Sequence, residues 1–464
     1  MNTLPTGSTR RLAGILAVLA GAIAGSTAVV VAGSAIAQRA VAAENVLLEV
    51  THLPPLLTVP GEQVELRYDA YCAASGSEED GRSCDVTGSV FLRTGESGSF
   101  REISLTRARM PGGGALVAQL PEAVSSSRDG FTYYAVFQAS PGGETLILPA
   151  GGASAPQRSL PLDRAVEVDL GSHVFGTGRR ADERVAEAAW GQGPGDVGLE
   201  QGRNLPPIGG SALDVDASGT VLVLDHAHRR VLRWRRGARA PVQVPVAITG
   251  TLADMSLAPD GTIYILESAG RLGRAPLVRR FDSDGRELEA TEIAERTPSQ
   301  IRMGPDGPVI LQQPSGQWMP LTSGGALLDP QTQREQGRAG RPLRGGGEVI
   351  VLRHGNEIRL ALVGADGVRR SWRVTSATAL AEVQLAEPLG RRLVVVVRVY
   401  TDTADEFVAL VLDHEGVARS ITLKSADWAE TAPLSRFRLA GSSLYQLGST
   451  PAGLFVDRFD LEVR

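Results

Sequence analysis

Apolar residues in this chain come in short runs broken by glycine turns, with little of the three-to-four spacing that marks a helix. Six runs open the same way: Gly219-Thr-Val-Leu-Val, Gly261-Thr-Ile-Tyr-Ile, Gly307-Pro-Val-Ile-Leu, Gly347-Glu-Val-Ile-Val, Gly390-Arg-Arg-Leu-Val-Val and Gly441-Ser-Ser-Leu-Tyr. Successive glycines stand 42, 46, 40, 43 and 51 residues apart. A repeat of roughly 40–50 residues made of strands predicts a β-propeller, whose four-stranded blades stack in a ring because none can bury its faces alone. The last repeat offers strands near Arg436–Leu439, Leu444–Leu447 and Leu454–Leu461. A fourth is expected from Arg184–Trp190, which would close the ring and remove its open edges. The count is then six blades, with five or seven left open by the divergent residues 370–440.

Upstream, alternating or β-branched stretches at Val46–Val50, Gln63–Cys72, Ser89–Arg93, Phe100–Leu105, Ala115–Leu120, Phe131–Ala139 and Thr145–Leu148 are separated by Gly, Pro and Ser turns. About seven short strands in about 100 residues predict a β-sandwich. Asp129-Gly-Phe-Thr-Tyr133-Tyr-Ala135 resembles the Asp-x-x-x-Tyr-x-Cys run at the tyrosine corner of the immunoglobulin fold. The resemblance implies an immunoglobulin-like or fibronectin type III-like module. In it Tyr133 hydrogen-bonds back across the corner, and Ala135 stands where antibody domains carry cysteine.

A second resemblance covers the first repeat. Trp190-Gly191 leads through Pro206-Pro207 to Ala212-Leu-Asp-Val-Asp-Ala-Ser-Gly219, then to Val221-Leu-Val-Leu-Asp225-His226-Ala-His228-Arg-Arg230-Val231. This resembles one repeat of the NHL family of propellers, with His228 in place of the usual Asn. Later repeats keep less of it: Pro259-Asp-Gly261 and Pro305-Asp-Gly307 retain the turn, and Glu267 replaces the strand-end Asp. The resemblance implies that Asp225 and Arg230 form a structural pair pinning a hairpin. It also implies relatives of two kinds, binding modules and metal-dependent lyases.

At the amino terminus, Arg10-Arg11 precede an uncharged stretch from Leu12 to Gln38, with Ala-x-Ala sites at Ala35–Ala37 and Ala40–Ala42. That is the layout of a secretory signal peptide over residues 1–42. Its length also suits an uncleaved membrane anchor; the two cleavage sites favour removal, and either way the rest is exported. The expected organisation is all-β: signal segment (1–42), immunoglobulin-like sandwich (44–148), Pro/Gly/Ala linker (149–164) and propeller (165–464). In an exported chain the two cysteines, Cys72 and Cys84, are expected to pair. Closing that short loop would stabilise the fold by about 3 kcal/mol in the loop-entropy picture.

Composition acts only by exclusion. The net charge of −5 argues against a nucleic-acid partner. Lys424 is the single lysine among 47 basic residues. No zincin, nucleophile-elbow, phosphate-loop or dinucleotide motif is present. Arg233 and Arg235 around Trp234 are a candidate binding patch, against the alternative of a charged, solvated hairpin edge. His226 and His228 have the spacing of a zinc pair but no third ligand in view, and are expected as turn residues. Asp402, Asp405 and Glu406, or Glu78, Glu79 and Asp80, could gather calcium but lack the calcium-loop pattern. No cofactor is therefore expected, with zinc or calcium as the weaker alternative. The expected function is an exported, non-catalytic binding or scaffold protein, with an extracytoplasmic protein or polysaccharide as partner. The alternative is a propeller enzyme of lyase or lactonase type with a metal-assisted site at the central channel, built from acidic and histidine side chains converging at its mouth.

Overall fold

The computed structural model describes residues 46–74, 85–108, 115–140, 143, 145–202, 206–250, 252–267, 275–293, 298–312, 316–432 and 434–462. The expected signal segment, Cys84 and the acidic run Glu78–Asp80 lie outside the described residues. No helix among the described residues is long and apolar enough to cross a membrane.

Two sheets build the amino-terminal lobe. One runs Val46–His52, Glu65–Ala74, Ala115–Gln119, Thr106–Arg107. The other runs Leu57–Thr58, Gln157–Pro161, Phe131–Ser140, Asp85–Thr94, Arg101–Ser104, with Thr145–Leu148 also on Phe131–Ser140. Alternation places Phe131, Tyr133, Ala135, Phe137 and Ala139 on the inner face, where they meet Leu66, Tyr68, Leu116 and Ala118 of the first sheet. The tyrosine-corner expectation is corrected in detail. Tyr133 is buried, but its hydroxyl lies 2.8 Å from His52 Nε2 rather than on backbone across a corner.

The expected linker 149–164 is also corrected. Gln157–Pro161 is a strand, antiparallel to Phe131–Tyr133 and parallel to Leu57–Thr58. Polar Gln157 and Ser159 disguise it in sequence, yet both are buried. Gly130 makes the pairing possible. Its φ is +69°, and a Cβ there would sit 2.2 Å from the Ser159 carbonyl.

Among the described residues, six sheets of four or five strands then follow as blades of a propeller. Blade 1 is Ala212–Val215, Val221–Asp225, Arg230–Trp234 and Val242–Pro245; blade 2 is Ala253–Leu257, Ile263–Glu267, Leu277–Phe281 and Glu287–Glu292. Blade 3 is Pro298–Met303, Pro308–Gln312, Gln317–Pro320 and Arg338–Ala339. Blade 4 is Arg341–Pro342, Glu348–His354, Glu357–Val363 and Arg369–Thr375, with Val166–Asp169 added in parallel outside. Blade 5 is Ala379–Leu389, Arg392–Tyr400, Asp405–Leu412 and Val417–Lys424. Blade 6 is Phe437–Ala440, Ser443–Thr450 and Gly453–Asp460, and its outer strand is Glu183–Ala189 from the other end of the repeat array.

The repeat glycines at 219, 261, 307, 347, 390 and 441 each turn the first hairpin of a blade, all at positive φ. Strands in the middle of a blade are apolar on both faces because a blade lies on each side. Val395 and Val397 join the blade 4–5 core, while Val394 and Val396 join the blade 5–6 core. The first strands of blades 5, 6, 1, 2 and 3 lie side by side in that order about the axis.

The two lobes share a core. Leu56, Leu57, Leu160 and Leu162 pack with Ala339, Ile350 and Ala361 of the propeller. Buried Arg359 donates to the Leu57 carbonyl (2.9 Å) and to both carboxylate oxygens of Glu62 (2.7 and 2.9 Å). The amino-terminal lobe is thus bolted to blade 4 and is no detached spacer.

Candidate functional site

The first strands carry charged side chains that pair with one another as a belt about the axis: Asp214, Asp254, Arg302, Arg341, Glu387 and Arg438 for blades 1, 2, 3, 4, 5 and 6. Three carboxylates face three guanidiniums. Asp254 accepts from Arg302 Nη1 (2.9 Å), Arg438 Nη2 (3.1 Å), Ser435 Oγ (2.5 Å) and the backbone N–H of Ile301 (2.8 Å) and Met255 (2.9 Å). Arg341 Nη2 lies 2.8 Å from Glu387 Oε2 and donates to the Ala386 carbonyl. Asp214 accepts from Leu257 N (2.6 Å) and faces Arg438 at 3.6 Å. Burial pushes the Asp214 carboxyl up, against the pull of Arg438. Burial, reinforced by Arg438, brings Arg302 down to about 10. Such pairing is what lets charges persist in a dry interior.

The connection from blade 5 to blade 6 reaches blade 3. Leu434, held at φ +61°, points its carbonyl at Arg302 Nη2 (2.8 Å) and Gln300 Nε2 (3.2 Å) of blade 3. Beside it, between blades 3, 4 and 5, opens a cleft of about 240 Å³. Its walls are Leu311, Trp318, Val349, Val383, Leu385 and Leu434, and Leu56 of the amino-terminal lobe contributes at the edge. The first strand of blade 5 breaks register twice here, on either side of Val383. The consecutive residues Glu382, Val383, Gln384, Leu385, Ala386 and Glu387 all line the cleft.

The residues singled out in sequence lie elsewhere. Trp234 is 1% exposed, packed in the blade 6–1 core with Val221 and Tyr445, so it cannot present a binding face. The alternation of its strand, not a patch, decides its direction. Arg233 donates to the Ser283 carbonyl of blade 2 (2.8 Å), and Arg235 is exposed. Asp225 and Arg230 meet at 2.9 Å. Arg230 also donates to the Asp196 carbonyl and to Gln243 Oε1, both at 2.6 Å.

His228 is occupied by Asp225 Oδ2 (2.7 Å) and Gln192 Oε1 (3.0 Å). His226 is buried without a hydrogen-bond partner among the described residues, 3.8 Å from Glu200. No group of three metal-ligating side chains occurs among the described residues. Of the acidic loop in blade 5, Asp405 pairs with Arg398 and Glu406 with His173.

The axial belt escaped sequence reading. A signal for it exists: in Ala-Leu-Asp214-Val, Gln-Ile-Arg302-Met and Phe-Arg438-Leu a charge interrupts the apolar strand just before a repeat glycine.

No family model matches this chain, and no curated protein matches it in sequence. Among solved structures it is similar to virginiamycin B lyase from Staphylococcus aureus, with 10% identity over 54% of this chain and 94% of that one, TM-score 0.34. It is similar to the aldose sugar dehydrogenase of Streptomyces coelicolor, with 12% identity over 60% and 96%, TM-score 0.35. It is also similar to the β-propeller domain of Cps50 (Swd1) from Myceliophteria thermophila, with 10% identity over 56% and 98%, TM-score 0.30. These likenesses concern the fold alone.

Proposed function

We propose that the chain is an exported, non-catalytic binding protein, an NHL-like propeller of six blades carrying an immunoglobulin-like lobe. One observation carries the reading: each axial carboxylate already faces an arginine across the belt, and Asp254 alone accepts five donors. General acid–base work and metal binding both need a carboxylate free to meet proton or ion. Recognition needs only shape and a few convergent polar groups, which the cleft between blades 3, 4 and 5 supplies. The leader over residues 1–42 supports export, where Cys72 and Cys84 would be bridged. The partner is then an extracytoplasmic molecule.

The test is metal analysis and turnover on protein purified mildly from outside the cytoplasm, with its amino terminus sequenced. The expected result is a chain beginning soon after residue 37 or 42, without stoichiometric zinc or calcium and without turnover of lactone or cyclic-ester substrates. Stoichiometric metal lost on His228→Ala would overturn the reading in favour of a metal-dependent enzyme.

A further inference from the structure

We propose that the cleft between blades 3, 4 and 5 binds a small zwitterion with an apolar body, of the chemistry of a free apolar α-amino acid. The inference rests on the reading that the chain binds rather than converts its ligand.

Size limits the ligand first. About 240 Å³ falls below the roughly 300–1,000 Å³ of sites for drug-sized ligands. It suits one apolar group and its immediate polar substituents. The walls of Leu311, Val349, Val383, Leu385 and Leu434, with the Trp318 indole, call for an aliphatic or aromatic body.

Charge then decides the head. Five ionisable side chains line the cleft: Arg302, Arg341, Arg353, Glu382 and Glu387. Three are spoken for, Arg302 by Asp254 (2.9 Å) and Arg341 with Glu387 by each other (2.8 Å). Two opposite charges on the rim have no counter-ion among the described residues. Arg353 donates from Nη1 only to the carbonyls of Gly355 (3.3 Å) and Leu380 (3.2 Å), so its other guanidinium N–H groups stay available. Glu382, exposed, makes no hydrogen bond to a described residue. Gln384 beside it is likewise without one and can serve either end.

A ligand carrying one charge would leave the opposite rim group unanswered. A ligand carrying both satisfies both: its carboxylate on Arg353 in the fork geometry a guanidinium favours, its ammonium on Glu382. The register breaks flanking Val383 serve this arrangement. Glu382 and Gln384 lie within that irregular stretch, between Leu380 and Leu385, and line the cleft together with Val383. Leu434, with its strained backbone fixed by Gln300 and Arg302, lines the same cleft.

The experiment uses the mature full chain and calorimetric titration with three probes on one skeleton: L-phenylalanine, phenylacetate and phenethylamine. The expected result is that phenylalanine binds about tenfold more tightly than either singly charged analogue, the scale of one charge-assisted hydrogen bond. Glu382→Gln should drop phenylalanine to the level of phenylacetate and leave phenylacetate unchanged. Arg353→Gln should drop it to the level of phenethylamine and leave phenethylamine unchanged. Both residues are exposed on the rim, so the variants should keep the wild-type unfolding midpoint, and Leu434→Trp should abolish binding of all three by filling the cleft. Equal affinity for the three probes, or no saturable binding by a folded wild-type protein, would overturn the inference and leave the non-catalytic reading standing. A change in ligand mass during titration would instead overturn that reading.

Discussion

His52 shows how far one side chain can bind stability to pH. It lies under the Tyr68 ring at 4.2 Å between centroids, with Nδ1 on the Arg67 carbonyl (2.7 Å) and Nε2 on the Tyr133 hydroxyl (2.8 Å). Nδ1 therefore donates, and Nε2 accepts from the tyrosine. Burial, opposed weakly by the Arg67 carbonyl, lowers the ring to about 4 from its ordinary 6.5. Between those values the unfolded chain takes a proton that the folded one refuses. The contribution is present above about pH 6.5 and is lost as pH falls toward 4, amounting to on the order of 3 kcal/mol at full loss. Urea midpoints from pH 7.5 to 4 should fall more steeply for the native protein than for His52→Gln. Parallel slopes would show that the ring titrates freely. At the same scale, Trp234 misleads in sequence because an aromatic among arginines looks like a binding patch. Strand alternation hides the ring and leaves Arg235 in solvent.

At the scale of the element, the repeat glycines carry most of what was legible. All six turn a first hairpin with φ between +59° and +131°, a conformation that keeps glycine in place while the strands around it drift in sequence. Less legible were elements whose burial comes from a remote partner. Gln157–Pro161 reads as linker because its polar residues are buried only by the pairing with Phe131–Tyr133 and the propeller beneath. The axial charges read as exposed positions because each partner stands on another blade, more than 40 residues away for Asp254 and Arg302.

The glycines are not equal. A Cβ at Gly347 would lie 2.1 Å from the Val363 carbonyl, whereas at Gly390 it meets nothing within 4 Å. Gly390→Ala should therefore cost only the positive-φ penalty, about 1 kcal/mol. Gly347→Ala should cost at least twice that, since the hairpin must also move off its neighbour. Equal shifts in denaturation midpoint would mean that the blade 4 turn relaxes without resistance.

At the scale of the molecule, the propeller is held shut by chain that precedes its first repeat. Val166–Asp169 adds to blade 4. The following segment crosses blade 5, where His173 meets Glu406 at 2.8 Å and Arg179 N donates to the Thr422 carbonyl at 2.8 Å. Glu183–Ala189 completes blade 6. The amino-terminal lobe is tied into the same assembly through Leu56, Leu57, Leu160 and Leu162, and through Arg359 on Glu62. Two lobes joined by a flexible linker would unfold separately; two lobes sharing a buried leucine cluster and an ion pair from buried Arg359 to half-buried Glu62 should unfold together. The tryptophans make this measurable, because Trp190, Trp234, Trp318, Trp372 and Trp428 all lie beyond residue 165 and report on the propeller alone. Leu66 is fully buried in the amino-terminal lobe's own core and is absent from the shared cluster. Leu66→Ala should destabilise that lobe by about 2–5 kcal/mol. With coupled lobes the tryptophan transition moves to lower urea by the same amount as the circular-dichroism transition. A tryptophan transition that stays in place while dichroism splits into two steps would mean the shared core is too weak to carry the loss across. Arg359→Leu should then produce that split deliberately, since it removes the guanidinium from Glu62 and the Leu57 carbonyl while leaving each lobe's own core intact.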